Sequence, residues 1–477
     1  MDDVKTKRFA VRAELPISAN VVSRLFLLLD SVTIVGPGLL LYFPLTGGLT
    51  TSDEYLAAIS FIWLSSIMLF HFTGLYRFEA VIRPFAGVDK IIIALMTSFL
   101  FLLATAFALK VSTTFSRGWM ISFALASCSA TLISRLTASF VLKKLTDKRL
   151  FSRKIVIAGR GEQARRLIAY LSSVQPRFVS IVGFFTDKSE EISCRQGIPV
   201  LGTMDQFPAY ARSHKIDDVV IALPWSAEEE LIELIGRLRE LPINIYLSSD
   251  LIGFHVPYRL PPSHFNGLPF VEVMGRPLSG WDVLTKTLED YLLGLVSTIL
   301  LLPFFGLIAL AIKIDSPGPI LFRQKRLGFN NRVFSIYKFR TMYYQPLETE
   351  QFVQARRNDS RVTPLGRFLR RTSLDELPQL FNVISGSMSL VGPRPHPIDL
   401  NEHFAKQIRG YFARHRVKPG ITGWAQVKGF RGETSTPDQM ESRVAHDIYY
   451  TENWSLLFDL QILARTVVMC VIGKNAY

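Results

Sequence analysis

The chain has 477 residues, 49% of them hydrophobic, and a formal net charge of +14. This length predicts two or three domains, and the apolar fraction is high for a wholly soluble protein. The positive charge predicts an anionic partner, which could be nucleic acid, lipid headgroups or a phosphorylated substrate. The three cysteines stand far apart and form no C-x-x-C pair, which argues against a disulfide framework or a zinc knuckle.

Four apolar segments precede residue 145, and each approaches the ~20 residues that a membrane span requires. They cover residues 25–43, 56–76, 88–109 and 119–142. Lysine and arginine lie before the first segment, in the 77–90 connection and after residue 142, whereas the 44–54 connection carries only acidic charges. The positive-inside rule therefore predicts a four-helix transmembrane region, residues 1–145, with both ends in the cytoplasm. The first segment lacks a small-residue cleavage site, so we interpret it as a retained anchor.

Two ionisable residues interrupt these segments, Asp30 and His71. An ionisable residue inside a membrane span is a functional candidate. Asp30 lies within about two helical turns of the predicted cytoplasmic edge, so pairing with Arg24 or access to water explains it more simply. We predict that the region serves as an anchor and a packing surface.

Residues 146–250 alternate short apolar runs with amphipathic stretches, which predicts a Rossmann-like α/β domain with a parallel sheet. Strands are expected near 154–158, 178–185, 218–223 and 243–247, and a helix near 227–241. The turn Gly159-x-Gly161-x-x-Ala164 has the spacing of a phosphate-binding loop. Because no acidic residue follows about 20 positions later, although Asp187 comes somewhat after, we favour a scaffold that binds no dinucleotide.

Residues 251–282 are rich in proline and glycine and are predicted to form a linker. The apolar segment that follows, about 286–313, has Pro303 near its middle and basic residues on both sides. The charge rule places both flanks in the cytoplasm, and a proline bends a helix. We therefore predict a re-entrant helix that enters and leaves the membrane on one face; an ordinary kinked span is the alternative.

The rest of the chain is organised around the string TSLDELPQ at 372–379, in which Asp375 and Glu376 follow a run of arginines. A helix beginning there would present free N–H groups and partial positive charge, which hold phosphate and keep a carboxylate ionised. An ionised carboxylate can attack phosphorus and form an acyl phosphate. Nearby cations would neutralise the charge that develops during such a transfer, and we expect this of Lys338, Arg340, Arg370, Arg371 and Arg394.

A structural explanation competes with this chemistry. Ser373-x-x-Glu376 fits a capping box, and acidic residues suit the first turn of any helix. The basic residues on both sides and the membrane segment upstream favour phosphoryl transfer. A diphosphate substrate beside carboxylates also predicts Mg²⁺ held by few protein ligands.

Residues from about 280 to 477 resemble the bacterial sugar transferases that are monotopic polyprenyl-phosphate glycosyl-1-phosphate transferases. The strings KFRTM (338–342), TSLDELPQ (372–379), GPRP (392–395) and KPGITGW (418–424) match that family in order and spacing. The four-helix region and the Rossmann-like domain resemble the large members that start exopolysaccharide or capsule repeat units. GFRGET at 429–434 and the KNAY ending resemble the glucose-1-phosphate branch, although Lys428 stands where we expect asparagine.

The resemblance implies a ping-pong reaction at the cytoplasmic face of the bacterial inner membrane. Asp375 would attack the β-phosphate of a UDP-sugar and release UMP, and undecaprenyl phosphate would then take the sugar phosphate. Glu376, with Asp375, would help to hold Mg²⁺. The implied fold of residues 283–477 is a mainly helical catalytic domain whose re-entrant helix, bent near Pro303, places the site at the level of the lipid headgroups. The implied phosphate ligands and further substrate-site candidates are Lys338, Arg340, Arg361, Arg370, Arg371, Arg394, Lys418, Thr422 and Asp447.

Other functions fit less well. A nucleotide-sugar epimerase or dehydratase would need a Tyr-x-x-x-Lys pair, which the sequence lacks. A non-enzymatic scaffold for polysaccharide assembly would leave the acid pair without a purpose. The nearest alternative is the same reaction with galactose-1-phosphate or another sugar phosphate. Anionic membrane lipid is a further expected partner, a homo-oligomer is compatible with the sequence, and no nucleic-acid-reading element is visible.

Overall fold

The computed structural model describes residues 19–46, 52–83, 85, 87–147, 153–174, 179–186, 198–224, 226–248, 270–344, 359–430 and 437–472. The chain divides into two compact units, one formed by Leu15–Ser152 and one that contains Arg153–Tyr477. The first unit is helical, and the second combines an α/β layer with a C-terminal part that holds the acid pair.

The first unit has helices over the four apolar segments that the sequence predicts to be buried in a membrane. Among the described residues, four helices of this unit are long and apolar enough to cross a bilayer. Their shared core contains Ile62, Trp119 and Phe123. The helices are α1 Ala19–Leu40, α2 Tyr42–Thr46, α3 Asp53–Phe72, α4 Phe78–Ile82, α5 Val88–Ala108 and α6 Arg117–Asp147.

A buried ion pair joins α1 to α6. Asp30 is fully buried and accepts a hydrogen bond from Arg135 Nε at 2.9 Å, with a second bond from Nη2. The guanidinium also lies over the rings of Phe70 and Tyr76. Asp30 therefore has a partner other than the predicted Arg24, and that partner is 105 positions away in the sequence. Since a buried charge without its partner is costly, the pair fixes how α1 packs against α6. His71, the other ionisable residue, is exposed near the end of α3.

The second unit begins with a six-stranded sheet in the order β3-β2-β1-β4-β5-β6. The pairs from β3 to β5 are parallel, and β6 runs antiparallel to β5. Helix α7 covers one face through Leu167, and α9 covers the other through Leu234, so the central strands are apolar throughout. The elements are β1 Arg153–Gly159, α7 Gly161–Val174, β2 Val179–Phe185, β3 Val200–Gly202, α8 Phe207–Ser213, β4 Asp218–Ala222, α9 Glu228–Leu238, β5 Asn244–Ser248 and β6 Phe270–Met274.

The structure confirms a largely parallel α/β sheet and differs from the sequence interpretation at its two edges. Strand β3 was not expected, and β6 falls inside the predicted 251–282 linker, whose residues 251–269 lie outside the described part of the chain. Both edge strands are short and lack the continuous apolar run that marks a central strand. In the predicted phosphate loop, a Cβ on Gly159 would lie 2.4 Å from the Ala222 carbonyl oxygen, so strand packing alone accounts for that glycine.

The C-terminal part of the second unit is mainly helical, with one antiparallel and one parallel two-stranded sheet. It packs on the α/β layer: Asn330 Nδ2 donates to the Ala211 carbonyl at 3.1 Å, and Arg416 Nη2 donates to the Gly275 carbonyl at 2.7 Å. The elements are α10 Trp281–Asp315, β7 Leu321–Leu327, β8 Val333–Phe339, α11 Pro364–Thr372, α12 Gln379–Ile384, β9 Ser389–Val391, α13 Ile398–Ala405, β10 Gly420–Thr422, α14 Trp424–Val427, α15 Pro437–Glu452 and α16 Leu456–Ile472.

Helix α10 is the fifth helix apolar enough for a membrane, and it is packed on the C-terminal core at both ends. It has 35 residues, a length of about 50 Å at 1.5 Å per residue, and Pro303 lies inside it. Near its start, Lys286 Nζ lies 2.6 Å from an Asp459 oxygen. At its end, Arg340 Nη2 donates to the Ser316 carbonyl at 2.6 Å. One folded core therefore holds both ends of the helix.

Candidate active site

The acid pair lies in a short 3-10 turn, Leu374–Glu376, between α11 and α12. The sequence predicts a helix start here, capped by Ser373. Instead, α11 runs up to this point and Ser373 ends it with a left-handed backbone, φ 60°. The Ser373 side chain makes no capping hydrogen bond, so the capping box is not formed. The tight turn buries both adjacent carboxylates, directly after the left-handed Ser373.

Glu376 is fixed by two cations. Lys338 Nζ donates to Glu376 Oε1 at 2.8 Å. Arg394 approaches with both terminal nitrogens, Nη2 to Oε1 at 2.7 Å and Nη1 to Oε2 at 3.2 Å. Burial opposes ionisation, but the charges and hydrogen bonds of Arg394 and Lys338 outweigh it and lower the pKa of Glu376 well below its usual range. Glu376 is therefore a permanent anion that holds β8 and the GPRP turn together.

Asp375 is in a different state. It is 8% exposed, and its carboxylate accepts no hydrogen bond from the described residues. Burial, followed by the neighbouring Glu376 carboxylate, raises the pKa of Asp375 to about 6, against the charges of Lys338, Arg370 and Arg394. The sequence predicts that a helix N-terminus keeps this acid ionised, which would lower its pKa. The structure has no helix start here, and the pKa is raised instead. At neutral pH the carboxylate is mostly ionised. No hydrogen bond from a described residue has to break before it can react.

The structure brings three of the predicted phosphate ligands to the acid pair. Lys338 and Arg394 bind Glu376 directly. The charge of Arg370 acts on Asp375, and its Nε donates to Thr341 Oγ1 at 2.8 Å, which fixes the guanidinium in place. These three cations come from β8, α11 and the GPRP turn, so the site depends on the folding of all three elements.

The other predicted arginines point elsewhere. Arg340 is buried and directed to the end of α10, where it also donates to Ser316 Oγ at 3.0 Å. Arg361 is paired with Asp359, and Arg371 is exposed on the outer side of α11. Adjacent residues in a helix point in different directions, which separates Arg370 from Arg371. Arg340 lies just beyond the end of β8, so its direction differs from that of Lys338 inside the strand. Arg356 and Arg357 lie outside the described residues.

The three further substrate-site candidates also have other partners. Asp447 is fully buried and lies 2.7 Å from Arg414 Nη2. Lys418 lies near the Asp290 carboxylate at the base of α10. Thr422 Oγ1 shares a hydrogen bond with Thr466 on α16 at 2.7 Å. These residues shape the core around the site and do not face the acid pair. Residues 431–434 and 473–477, which carry part of the glucose-branch resemblance, lie outside the described residues.

Two arginines that the sequence interpretation did not assign to the site support it. Arg414 is fully buried and donates to the Arg394 carbonyl, which fixes the GPRP turn. Arg326 on β7 donates to the Pro395 carbonyl at 3.1 Å, and both Arg394 and Glu376 act on its charge. In the sequence, Arg326 is marked only by its position just before a Leu-Gly turn, and Arg414 only by its position shortly before the KPGITGW string. Their partners are far away along the chain, so no local pattern reveals the contacts.

The acid pair fits a magnesium ion that takes most of its ligands from a substrate. No group of three or more His, Cys, Asp or Glu side chains in the described part of the chain could form an all-protein cage. Mg²⁺ in phosphoryl-transfer sites takes one or two carboxylates together with phosphate oxygens and water. Asp375 offers an unbonded carboxylate, whereas Glu376 would have to share an oxygen with Lys338 or Arg394.

Comparison with known proteins identifies the family. The family described as bacterial sugar transferase matches residues 281–473, the part that contains the acid pair and its cations. A UDP-glucose:undecaprenyl-phosphate glucose-1-phosphate transferase of Xanthomonas campestris pv. campestris is 34% identical over 474 residues, which cover 96% of this chain and 95% of that protein. The chain belongs to the bacterial sugar transferase family.

Other relatives of this sugar transferase are named for glucose or for a different sugar. An Escherichia coli (strain K12) protein with the same name as the Xanthomonas one is 43% identical over 278 residues, 58% of this chain and 59% of that protein. A UDP-N-acetylgalactosamine-undecaprenyl-phosphate N-acetylgalactosaminephosphotransferase of Aeromonas hydrophila is 41% identical over 187 residues, 39% of this chain and 44% of that protein. A family described as CoA-binding domain matches residues 71–249.

Asp375→Asn is expected to raise the melting temperature of this sugar transferase near neutral pH. The pKa of Asp375 is raised above its value in the unfolded chain, so above about pH 6 its buried charge destabilises the folded state. Asparagine removes the charge and loses no hydrogen bond to the described residues. As the pH falls below about 6 the aspartic acid becomes protonated in the fold, so the advantage of asparagine should shrink, and it should disappear below about pH 4, where the unfolded chain is protonated as well.

Thermal unfolding of the detergent-solubilised full chain, wild type against variant across this pH range, measures the difference. Glu402→Gln is the matched control, because Glu402 is exposed on α13 and should change stability little at any pH. A variant that is less stable than wild type near neutral pH would contradict the assigned state of Asp375.

Proposed function

We propose that this chain transfers glucose-1-phosphate from UDP-glucose to undecaprenyl phosphate and releases UMP. The observation that carries the proposal is the division of roles in the acid pair. Glu376 is held by two cations, while Asp375 is buried, free of hydrogen bonds from the described residues, and has a pKa of about 6. A carboxylate in that state is a suitable nucleophile for a phosphate ester. The names of the Xanthomonas and Escherichia relatives supply the donor and the acceptor.

The reaction has two halves. An Asp375 Oδ attacks the β-phosphorus of UDP-glucose, and the bond from that phosphorus to the bridging oxygen breaks. The bond's electron pair stays on the oxygen, which leaves as part of UMP. A phosphate oxygen of undecaprenyl phosphate then attacks the same phosphorus and restores the Asp375 carboxylate. Both attacking groups are already anions, so neither half requires a general base.

The charge around the acid pair matches a diphosphate. In the described part of the chain, the cations whose charges act on the pair are Lys338, Arg326, Arg370 and Arg394. Against them stand Glu376 and, above about pH 6, Asp375. These cations outnumber the two carboxylates, so the site is positively charged at neutral pH and attracts the anionic diphosphate of a UDP-sugar. Fixed cations in a site with little water stabilise the charge that moves during phosphoryl transfer.

Mg²⁺ is the proposed cofactor. The Asp375 and Glu376 carboxylates would be its protein ligands, with diphosphate oxygens and water completing the shell. Bound there, the ion would neutralise phosphate charge. The chain's own residues position the diphosphate: Lys338 and Arg394 hold Glu376 in place, and Arg370 faces Asp375.

The proposed membrane arrangement has α10 entering and leaving the cytoplasmic leaflet of the bacterial inner membrane. A helix that spans a hydrocarbon layer of about 30 Å has its ends on opposite sides. Lys286 and Arg340 tie the two ends of α10 to one core, and that core is too polar to cross a bilayer. Apolar side chains along the length of α10 are exposed to receive lipid, and they include Leu292, Leu295, Ile299, Leu300, Leu307 and Leu310. The excess basic charge suits anionic lipid headgroups.

The same reaction with another sugar is the second candidate. The Aeromonas relative is named for N-acetylgalactosamine, and Lys428 stands where the glucose branch is expected to have asparagine. The Lys428 ammonium is exposed and lies 4.7 Å from the centre of the Trp424 ring. Glucose remains the proposed sugar because both UDP-glucose relatives described above align over longer stretches of this chain.

Asp375→Asn and Asp375→Ala are each expected to lower UMP release from UDP-glucose by at least roughly 10³-fold, because the other carboxylate of the pair, Glu376, is held by Lys338 and Arg394. The assay uses membranes that contain the full chain, a panel of UDP-glucose, UDP-galactose and UDP-N-acetylgalactosamine, and added undecaprenyl phosphate. Glu402→Gln should keep wild-type activity. Robust turnover by either variant would exclude Asp375 as the nucleophile. A faster rate with UDP-galactose or UDP-N-acetylgalactosamine would make that sugar, rather than glucose, the preferred one.

Cysteines introduced at Ser279 and Lys325, on the two sides of α10, should both resist a membrane-impermeant maleimide added to cells with an opened outer membrane. Both positions are exposed, and the native cysteines Cys128, Cys194 and Cys470 are replaced first. Asp53→Cys, in the acidic 44–54 connection, should react and serves as the positive control. Labelling of one α10 flank from outside would establish an ordinary span.

A further inference from the structure

Arg326 is a partly buried cation beside the acid pair. No carboxylate in the described part of the chain lies within ion-pair distance of it. It is held by neutral groups: Nη1 donates to the Pro395 carbonyl at 3.1 Å, and Nη2 donates to Gln324 Oε1 at 2.6 Å. Its Nε is buried and has no hydrogen-bond partner among the described residues. The guanidinium is thus fixed in place by two of its five N–H donors, and three remain for a ligand.

The position of Arg326 is set by the strand that carries it. Arg326 forms a β-bridge with Pro397, just after the GPRP turn, so the strand and the turn run side by side. Burial, followed by the charge of Arg394, lowers the pKa of Arg326 to about 10, and Glu376 acts in the opposite direction. Arg326 therefore stays protonated at neutral pH. The charges of Arg326 and Arg394 repel each other, and an anion that lies between or beside them relieves that repulsion.

The other cations of the site already have a task. Lys338 and Arg394 bind the two oxygens of Glu376. Arg370 is bonded to Thr341 and acts on Asp375, the proposed point of attachment of the sugar phosphate. A UDP-sugar brings two phosphates, and the second one requires a cation that is neither engaged by Glu376 nor directed to Asp375. Among these residues Arg326 meets that requirement.

The geometry points to Arg326 as the ligand of the α-phosphate of the UDP-sugar, the phosphate that leaves as UMP. This inference rests on the proposed function and adds a residue to it. When the bond from the β-phosphorus to the bridging oxygen breaks, the electron pair moves to that oxygen, and the UMP phosphate gains one negative charge. A guanidinium presents several N–H donors in one plane and suits a phosphate that gains charge in this way.

A ligand of the leaving phosphate affects only half of the reaction. UMP departs before undecaprenyl phosphate attacks, so the second half contains no α-phosphate. Loss of Arg326 should slow the formation of the sugar-phosphate enzyme and leave its discharge to the lipid unchanged. A residue that merely supports the fold of the GPRP turn would slow both halves, because Arg394 serves the same phosphorus in each.

The test compares Arg326→Gln with Arg323→Gln in the detergent-solubilised full chain. Arg323 lies on the same strand, is exposed, and stacks over Tyr337, so its replacement is the matched control. UDP-glucose labelled in the glucose is added without lipid, and the label on the protein is followed with time. Undecaprenyl phosphate is then added to the labelled protein, and the loss of label is followed. Inhibition by UMP is measured in the complete reaction.

For Arg326→Gln we expect labelling to slow by about 100-fold or more, as when one donor to a developing oxyanion is removed. Discharge should stay within about twofold of wild type, UMP should inhibit at least about tenfold less strongly, and Arg323→Gln should match wild type throughout. Labelling at the wild-type rate, or equal slowing of both halves, would overturn the inference. If Arg326→Gln does not fold, Arg326→Lys decides by the same comparison, with a smaller loss expected in labelling alone. A wild-type protein that takes no label would instead refute the proposed function.

Discussion

The ion pairs that Glu376 makes with Lys338 and Arg394 determine the state of the whole site. Two adjacent carboxylates in a buried turn repel each other, and burial disfavours the charge on either one. Glu376 still raises the pKa of Asp375, but the charges of Lys338 and Arg394 oppose that effect, and the pKa of Asp375 stays at about 6 instead of a higher value. The same ion pairs join β8, the 3-10 turn and the GPRP turn. One electrostatic arrangement thus holds the elements together and leaves one of the two acids free.

The membrane helix is tied to the site through strand β9. Asp290, near the start of α10, accepts hydrogen bonds from Ser389 Oγ at 2.8 Å and from the Leu390 backbone N–H at 3.0 Å. Strand β9 then leads directly into the GPRP turn and Arg394. At the other end of α10, Arg340 binds the last carbonyls, and the strand that precedes it carries Lys338. In the proposed membrane arrangement, the depth of α10 would therefore set the height of the acid pair relative to the lipid phosphates.

The sequence predicts what depends on local pattern. The continuous apolar run at Ile155–Ala158 indicates a strand covered on both faces, and the structure has one. The family strings lead to Asp375, Glu376, Lys338 and Arg394, which the structure brings together. Partners that are distant in the chain cannot be found in this way. Asp30 pairs with Arg135 rather than Arg24, and Asp447 pairs with Arg414, because packing alone decides which helices meet.

Side-chain direction is the second thing that the sequence leaves open. Arg340 is two residues from Lys338, and yet it binds the end of α10, because the chain leaves β8 between them. The predicted helix start at the acid pair also depends on a single backbone torsion, the positive φ of Ser373, which ends α11 there. In the sequence, Arg326 is one of several basic residues that follow an apolar segment, and no local pattern distinguishes it from the others. The role proposed for Arg326 follows only from where the β7–β8 hairpin places it.

The central claim is that Asp375 carries a covalent sugar phosphate during the reaction. The most direct measurement is peptide mapping by mass spectrometry of the full chain after brief mixing with UDP-glucose in the absence of undecaprenyl phosphate. The account predicts a hexose-phosphate adduct on the peptide that contains residues 372–379, located on Asp375, released by hydroxylamine as an acyl phosphate should be, and lost when the lipid is added. Formation of lipid-linked product by a protein that never carries this adduct, or an adduct on another residue, would contradict it.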